Sequence, residues 1–544
     1  MPVVVAVGLV IPSIVWAAID RSIWPWDPAW YGEVSADLWA NFRTDFGNWP
    51  KAMADAFGAK PPAIAWFGQF WVPAGRLFGN VSVSLLLSVV ASCAAAIVLL
   101  YIAVRRFAGD GAALIAALLL GASPLFISMS HEYFVEPIQC VSMVWLLLIL
   151  ASTSRWRPAL TLAQLPGPIA FGLLAKLSSP AYQAAPAAGV VLLLLIRTRG
   201  KDQNTFKPVA WLDPKVVGSA LLSALLVIGT VAWYRVNLQA AIDHYRAASA
   251  DTGLYGVNRG FATQFPEWVR SLRDVTFIPH LWLGLVVLAV ASLALSIRRS
   301  GLVRFRDDRV VAAICCVATI VIVLSLFAEQ PNQELRYLLP LVPFVAVLAA
   351  LAIGAAKKRL IVGLAAAILC AQFTVVTFQS FGKLQTASLV SYPLTPPVAK
   401  SAFAGELNRV VTATCTPEAD YKINMVGAEY PWLNHNTLEM LAIERYAESG
   451  KRCYYTALGY AENDPNIAFK RVEDFKSPYY ISIDYGNPAN PLPPTLQSLI
   501  IQADPFNKVN QIVFRRVVTS GLYQRIPGTA REGLVILRLR SKTQ

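Results

Sequence analysis

Apolar blocks of about 17–26 residues recur through the first 380 positions, each long enough to cross a hydrocarbon core about 30 Å thick as a helix. They fall near 3–19, 80–104, 110–127, 136–151, 160–177, 180–196, 214–234, 280–297, 310–327, 336–355 and 360–380. This pattern predicts a membrane all-α part of about eleven transmembrane helices. Composition agrees with it. The chain is 56% hydrophobic and 15% charged, where a soluble domain carries about 25% charged residues. The first block, Val3 to Ala18, is predicted to stay as helix one rather than serve as a cleavable signal. It lacks a basic leader and runs into Asp20-Arg21 with no small-residue cleavage site.

The net charge of +14 does not point to nucleic acid, because the basic residues sit at helix ends. Arg105-Arg106, Arg155/Arg157, Arg197 to Lys215, Arg298 to Arg309 and Lys357-Lys358-Arg359 fall on alternate connections and hold seventeen Lys or Arg together. The short connections 128–135 and 328–335 on the opposite side hold none before Arg336. The basic side is predicted to be cytoplasmic, with the N-terminus inside and residues 381–544 outside. Three further segments then lie outside or at the outer surface. Residues 20–79 carry seven of the fifteen tryptophans and read as helices lying on the bilayer. Residues 236–279 read as an outer loop. The tail reads as a soluble α/β domain, with strands at Tyr421–Val426, Cys453–Ala457, Tyr479–Ile483 and Leu534–Leu539 and a helix at Thr437–Glu448. The domains are thus 1–380 in the membrane and 381–544 outside.

Seven cysteines are dispersed without metal-ligand spacing. Cys93, Cys140, Cys315, Cys316 and Cys370 lie in or beside apolar segments and read as small core residues. Cys415 and Cys453 alone lie in the tail, which faces an oxidising compartment in this topology, and a disulfide between them is predicted.

Charged residues at the outer helix mouths need a reason, because desolvating them is costly. Asp27 follows helix one in Trp26-Asp27-Pro28-Ala29-Trp30-Tyr31, and Glu136 closes His131-Glu132-Tyr133-Phe134-Val135-Glu136 at the start of helix four. Such a pair suits a general base with its partner, or a divalent cation such as Mg or Mn. It equally suits interfacial capping, with Glu136 at a helix N-terminus. Lys60 before Pro61-Pro62, Lys176 near the end of helix five and Arg336 in Leu335-Arg336-Tyr337 are cations at the same predicted surface. Cations there suit an anionic lipid headgroup, although snorkelling describes most terminal Lys and Arg. Their convergence with two acids favours the headgroup.

At these residues the chain resembles the GT-C glycosyltransferases that use polyprenyl or dolichyl phosphate. Within these it looks like glycosyltransferase family 39 and its bacterial relatives, which include the protein O-mannosyltransferases and the lipid A aminoarabinose transferase. Asp27-Pro28-Ala29-Trp30-Tyr31 resembles an Asp-Glu-x-x-Tyr segment after helix one, and Lys60-Pro61-Pro62 a Lys-Pro-Pro-Leu segment. His131 to Glu136 stands in the place of Arg-x-x-x-x-Asp. Gly172 to Lys176 resembles Gly-x-x-x-Lys, and Arg336-Tyr337-Leu338-Leu339-Pro340 resembles Arg-Tyr-x-x-Pro. Pro28, His131 and Glu136 depart from the family pattern, which bears on the second acid and on any metal.

The resemblance implies transfer of a sugar from a polyprenyl-phosphate donor to a glycan, lipid or protein acceptor, on the outer face of a bacterial inner membrane. In it Asp27 is the general base, with Glu136 as its catalytic partner. Tyr31, Lys60, His131, Lys176, Arg336 and Tyr337 bind substrate. The loop 236–279, with His244, Tyr245, Tyr255 and Arg259, is then a candidate lid. A non-catalytic lipid-linked sugar or polysaccharide transporter is the rival reading, but transporters place polar sites near the midplane of repeated halves, and no repeat is visible here.

Overall fold

The computed structural model describes residues 1–78, 80–199, 213–249, 257–300, 308–384, 392–401, 403–417, 422–446, 452–459, 462–484, 506–526 and 533–540. Among them, nine helices are long and apolar enough to cross a membrane. These are Pro2–Ile19, Val81–Ala108, Pro158–Ala175, Ser179–Arg197, Pro214–Ser249, Leu281–Arg298, Asp308–Ala328, Leu335–Gly354 and Arg359–Ser380. The other two expected spans are shorter, at Asp110–Ala122 and Glu136–Leu150. Pro124 cuts the first of them short, starting a separate helix, Pro124–Met129, after Ser123. Glu136–Leu150 matches its expected span to within one residue, with Pro137 in its first turn. The same device divides the fifth span into Pro158–Gln164 and Pro166–Ala175.

Two compact units result. One comprises Met1–Ile19, Leu38–Trp71 and Val83–Pro397; the other comprises Asp20–Asp37, Val72–Ser82 and Val398–Gln544. The boundary expected at residue 380 is therefore not where the chain divides. The N-terminal half of the helix Trp26–Thr44 and the segment 72–82 pack with the tail rather than with the apolar helices.

In the first unit the helices turn apolar side chains outward, as a lipid solvent requires. Leu225, Ile228 and Val231 of Pro214–Ser249 are exposed, as are Val286, Val287 and Val290 of Leu281–Ser300. Between helices, small residues set the spacing. A Cβ on Gly121 would meet Leu9 at 2.7 Å, and one on Gly189 would meet Cys315 at 2.5 Å. The Trp-rich segment is helical at Trp26–Thr44, Trp49–Asp55, Ala63–Gly68 and Val72–Phe78. Most of the described residues of 236–279, expected to form a loop, are helical. Pro214–Ser249 runs fifteen residues past the expected end at 234, and Phe261–Thr276 forms an amphipathic helix with Gln264, Trp268, Leu272 and Val275 buried. Of the residues named for a lid there, Tyr255 lies outside the described residues. Arg259 is paired with Glu267, and Tyr245 accepts from Gln330 at 2.6 Å.

The second unit is an α/β domain built on a five-stranded sheet in the order β2-β1-β3-β5-β4. The strands are β1 Ile423–Val426, β2 Tyr454–Ala457, β3 Tyr479–Ile483, β4 Tyr523–Arg525 and β5 Leu534–Leu539. β1 pairs in parallel with β2 and β3, while β5 is antiparallel to both β3 and β4. Helices cover both faces because both are apolar. Tyr455, Tyr479, Ile481 and Ile536 join Leu407, Val411 and Leu438 on one side. Tyr480, Val535 and Leu537 join Ala468, Val472, Val513 and Val517 on the other. Cys415 and Cys453 form a disulfide, with 5.5 Å between their Cα atoms, from the end of helix Ala404–Thr414 to the start of β2.

Candidate active site at three helix mouths

Three breaks at helix ends bring the site together in the first unit. Val135-Glu136-Pro137 opens Glu136–Leu150, Lys176 ends Pro166–Ala175 in extended conformation, and Leu335–Leu341 is a 3₁₀ turn containing Pro340. Each break lifts one charged side chain off a helix end, toward the same point. Lys176 Nζ donates to Glu136 Oε1 at 2.7 Å, and Arg336 Nε lies 3.7 Å from the same oxygen. Arg336 Nε also donates to Glu334. The aromatic neighbours complete a cation box. Lys176 Nζ sits 3.6 Å from the Tyr337 ring centre, and the Arg336 guanidinium 4.2 Å from that of Phe134.

Glu136 is 1% exposed, against 23% for Lys176 and 17% for Arg336, so the acid lies behind the cations. Its Oε2 is buried and accepts no hydrogen bond among the described residues. A carboxylate in that position either orients the two cations or accepts from a hydroxyl brought to it. The layer beneath is fixed by side-chain bonds. Gln139 donates to Ser179 Oγ at 3.0 Å, and Ser179 donates to the Gly172 carbonyl at 2.6 Å. A Cβ on Gly172 would meet Gln183 Nε2 at 2.2 Å, which explains glycine four residues before the lysine.

The structure thus gathers Glu136, Lys176, Arg336 and Tyr337. Lys60 belongs to the same unit and is half-buried in the turn before Pro61-Pro62. The helix that follows is tied to the Glu136 connection, since Tyr133 donates its hydroxyl to the Ile64 carbonyl at 3.1 Å. His131 stacks on Trp16, with ring centres 4.3 Å apart and planes 1° from parallel. Burial holds its imidazole at about 3, so it is neutral at physiological pH and is not a substitute for an arginine charge. Asp27 and Tyr31 belong to the second unit. Asp27 is half-buried in the first turn of Trp26–Thr44, and Tyr31 is buried at 4% exposure.

Two acids escaped the sequence reading, Glu132 and Glu334. Each sits within four residues of a cation or acid that was singled out, which was the available signal. Burial pushes the Glu132 carboxyl up from 4.5 to about 7; Arg336 opposes the shift, while Glu136 and Glu334 add to it. A raised carboxyl stabilises the fold below its unfolded value, and that contribution is lost as pH rises through the folded one. The melting temperature of the wild type should therefore fall relative to Glu132→Gln between about pH 4.5 and 7. Parallel melting curves across that range would contradict this.

Among the described residues no group of three or more His, Cys, Asp or Glu is placed to hold a metal, and Lys176 engages Oε1 of Glu136, one of the two acids named for a divalent ion.

No family model matches the chain, and no curated protein is matched by sequence. Solved structures are matched by shape. ArnT from Cupriavidus metallidurans bound to undecaprenyl phosphate aligns over 99% of this chain and 98% of its own, at 14% identity and a TM-score of 0.58. Its apo state aligns over 98% and 97%, at 14% identity and a TM-score of 0.55. The Archaeoglobus fulgidus oligosaccharyltransferase in complex with Zn and sulfate aligns over 93% of this chain and 70% of its own, at 14% identity and a TM-score of 0.51. The chain has the GT-C fold.

Proposed function

We propose that the chain is a membrane glycosyltransferase that moves a sugar from a polyprenyl-phosphate donor to a glycan, lipid or protein acceptor on the outer membrane face. The observation that carries this is the Lys176–Glu136–Arg336 cluster on a GT-C fold. Two cations held against one buried acid and an aromatic ring form a preorganised anion site. The leaving group of such a transfer is a lipid phosphate, whose charge grows as the glycosidic bond breaks. Lys176 and Arg336 stabilise that charge, and Lys60 adds a third cation. Tyr337 positions the ammonium, Tyr31 and His131 are assigned to substrate binding, and Asp27 takes the acceptor proton as general base. Glu136 keeps the cations in place and offers Oε2 to a substrate hydroxyl.

The alternation of basic and uncharged connections supports a cytoplasmic N-terminus and an external C-terminal domain in a bacterial inner membrane. A lipid phosphate does not cross a hydrocarbon core unaided, so the donor reaches the outer face already flipped. The test uses purified protein in lipid vesicles with undecaprenyl-phosphate-linked labelled sugars and a panel of envelope acceptors. Labelled glycoside with release of undecaprenyl phosphate supports the transferase. Movement of donor between leaflets without any glycoside would establish the transporter instead.

A further inference from the structure

In the second unit the strand order β2-β1-β3 reverses direction at β1. In open α/β sheets ligands bind at such a switch point, beyond the carboxyl ends of the strands. The connection leaving β1 there carries Glu429, and this acid is engaged by the chain itself. Trp26 donates its indole N–H to Glu429 Oε2 at 3.0 Å, and His435 Nδ1 lies 3.7 Å from Oε1. Asn507 brackets the Glu429 backbone, accepting from its N–H at 3.2 Å and donating to its carbonyl at 3.1 Å.

We propose that the C-terminal domain is a positioning element of the transferase, using its switch-point crevice and the helix His435–Tyr446 to fix the helix that carries Asp27. Positions 26, 33 and 37 lie within about 40° of one another on a helix of about 100° per residue, so they form one stripe. Each meets a residue of the domain. Trp26 meets Glu429, Glu33 lines one small cavity with Glu439, and Asp37 pairs with Arg452, next to the Cys453 disulfide. Thr437 Oγ donates to the Trp24 carbonyl at 2.8 Å. Gly32 allows close approach, since a Cβ there would meet Met440 Sδ at 2.9 Å. Asp27 follows Trp26 directly, so this clamp sets the aim of its carboxylate.

The inference rests on the proposed role of Asp27. A base displaced by about 1 Å loses up to about a hundredfold in rate, while the donor phosphate is assigned to residues of the other unit. Full-length protein in lipid is compared as wild type, Glu429→Ala, Glu429→Gln, Trp26→Phe and the Trp26→Phe/Glu429→Ala double variant. We expect Glu429→Ala and Trp26→Phe each to lower kcat about tenfold, with KM for the undecaprenyl-phosphate-linked donor unchanged. Glu429→Gln, whose amide oxygen still accepts from the indole, restores kcat, and the double variant is no worse than either single one. Wild-type kcat in Glu429→Ala, equal loss in Glu429→Gln, or additive losses would overturn the proposal. Hydrogen exchange over residues 24–37 separates the two readings. If Asp27→Asn proves active, the role of Asp27 fails. The clamp then still stands on faster exchange there in Glu429→Ala, and falls if exchange is unchanged.

Discussion

Asp27→Asn should lower the turnover of sugar transfer by about 10²–10⁴-fold, the range a general base typically contributes. Asparagine keeps the shape and the hydrogen-bonding size of the side chain and removes its charge and basicity. Asp27 stands in the first turn of Trp26–Thr44, held by the second unit, and the proposed phosphate cations stand in the first. Donor binding should therefore be unchanged, and the loss should appear in kcat rather than in KM. Single-turnover transfer at saturating donor, with a melting curve for each protein, separates chemistry from folding. A well-folded Asp27→Asn protein with near-normal transfer would remove Asp27 from the mechanism.

Lys176→Ala should cost both stability and donor binding. It strips Glu136, 1% exposed, of its 2.7 Å partner and leaves Arg336 at 3.7 Å as the remaining cation. Breaking a buried pair by removing one partner typically destabilises by about 3–5 kcal/mol, because the other charge stays buried. Glu136→Ala in addition should recover most of that loss, since no orphaned charge remains. It should not recover binding of undecaprenyl phosphate, because the cation is still missing. Thermal unfolding and a lipid-phosphate titration on the single and double variants read the two effects apart. Wild-type stability together with wild-type binding in Lys176→Ala would exclude the cluster as the phosphate site.

The membrane part was legible in the sequence because lipid leaves one solution. Every apolar block must close its own backbone hydrogen bonds, so Val81–Ala108 or Arg359–Ser380 is helical by necessity. The site was legible for a related reason. Glu136, Lys176 and Arg336 are charges at the edges of such blocks, where only a partner or a ligand justifies them. What escaped depends on proline and on tertiary pairing. Pro124 cuts one expected span short, a change of length that hydropathy averaged over a window does not register. The segment 236–279 reads as a loop because it is a polar stretch between two apolar blocks, yet Phe261–Thr276 buries one face and exposes the other.

The division into units was the least legible feature. Glu33 and Asp37 look like solvent-facing residues of a surface helix, and only the fold sets Glu439 and Arg452 against them. Glu132 likewise reads as a loop acid, until burial beside Arg336 and Glu136 shifts its titration.

Lys176 and Arg336 are proposed to hold the lipid phosphate. A structure of the full-length protein in lipid nanodiscs with undecaprenyl phosphate tests it directly. Phosphate oxygens should lie within hydrogen-bonding distance of Lys176 Nζ and the Arg336 guanidinium, with Glu136 Oε1 released from the lysine or shared with it. Phosphate bound elsewhere, with the 2.7 Å Lys176–Glu136 contact intact and both cations out of reach of the headgroup, would contradict it.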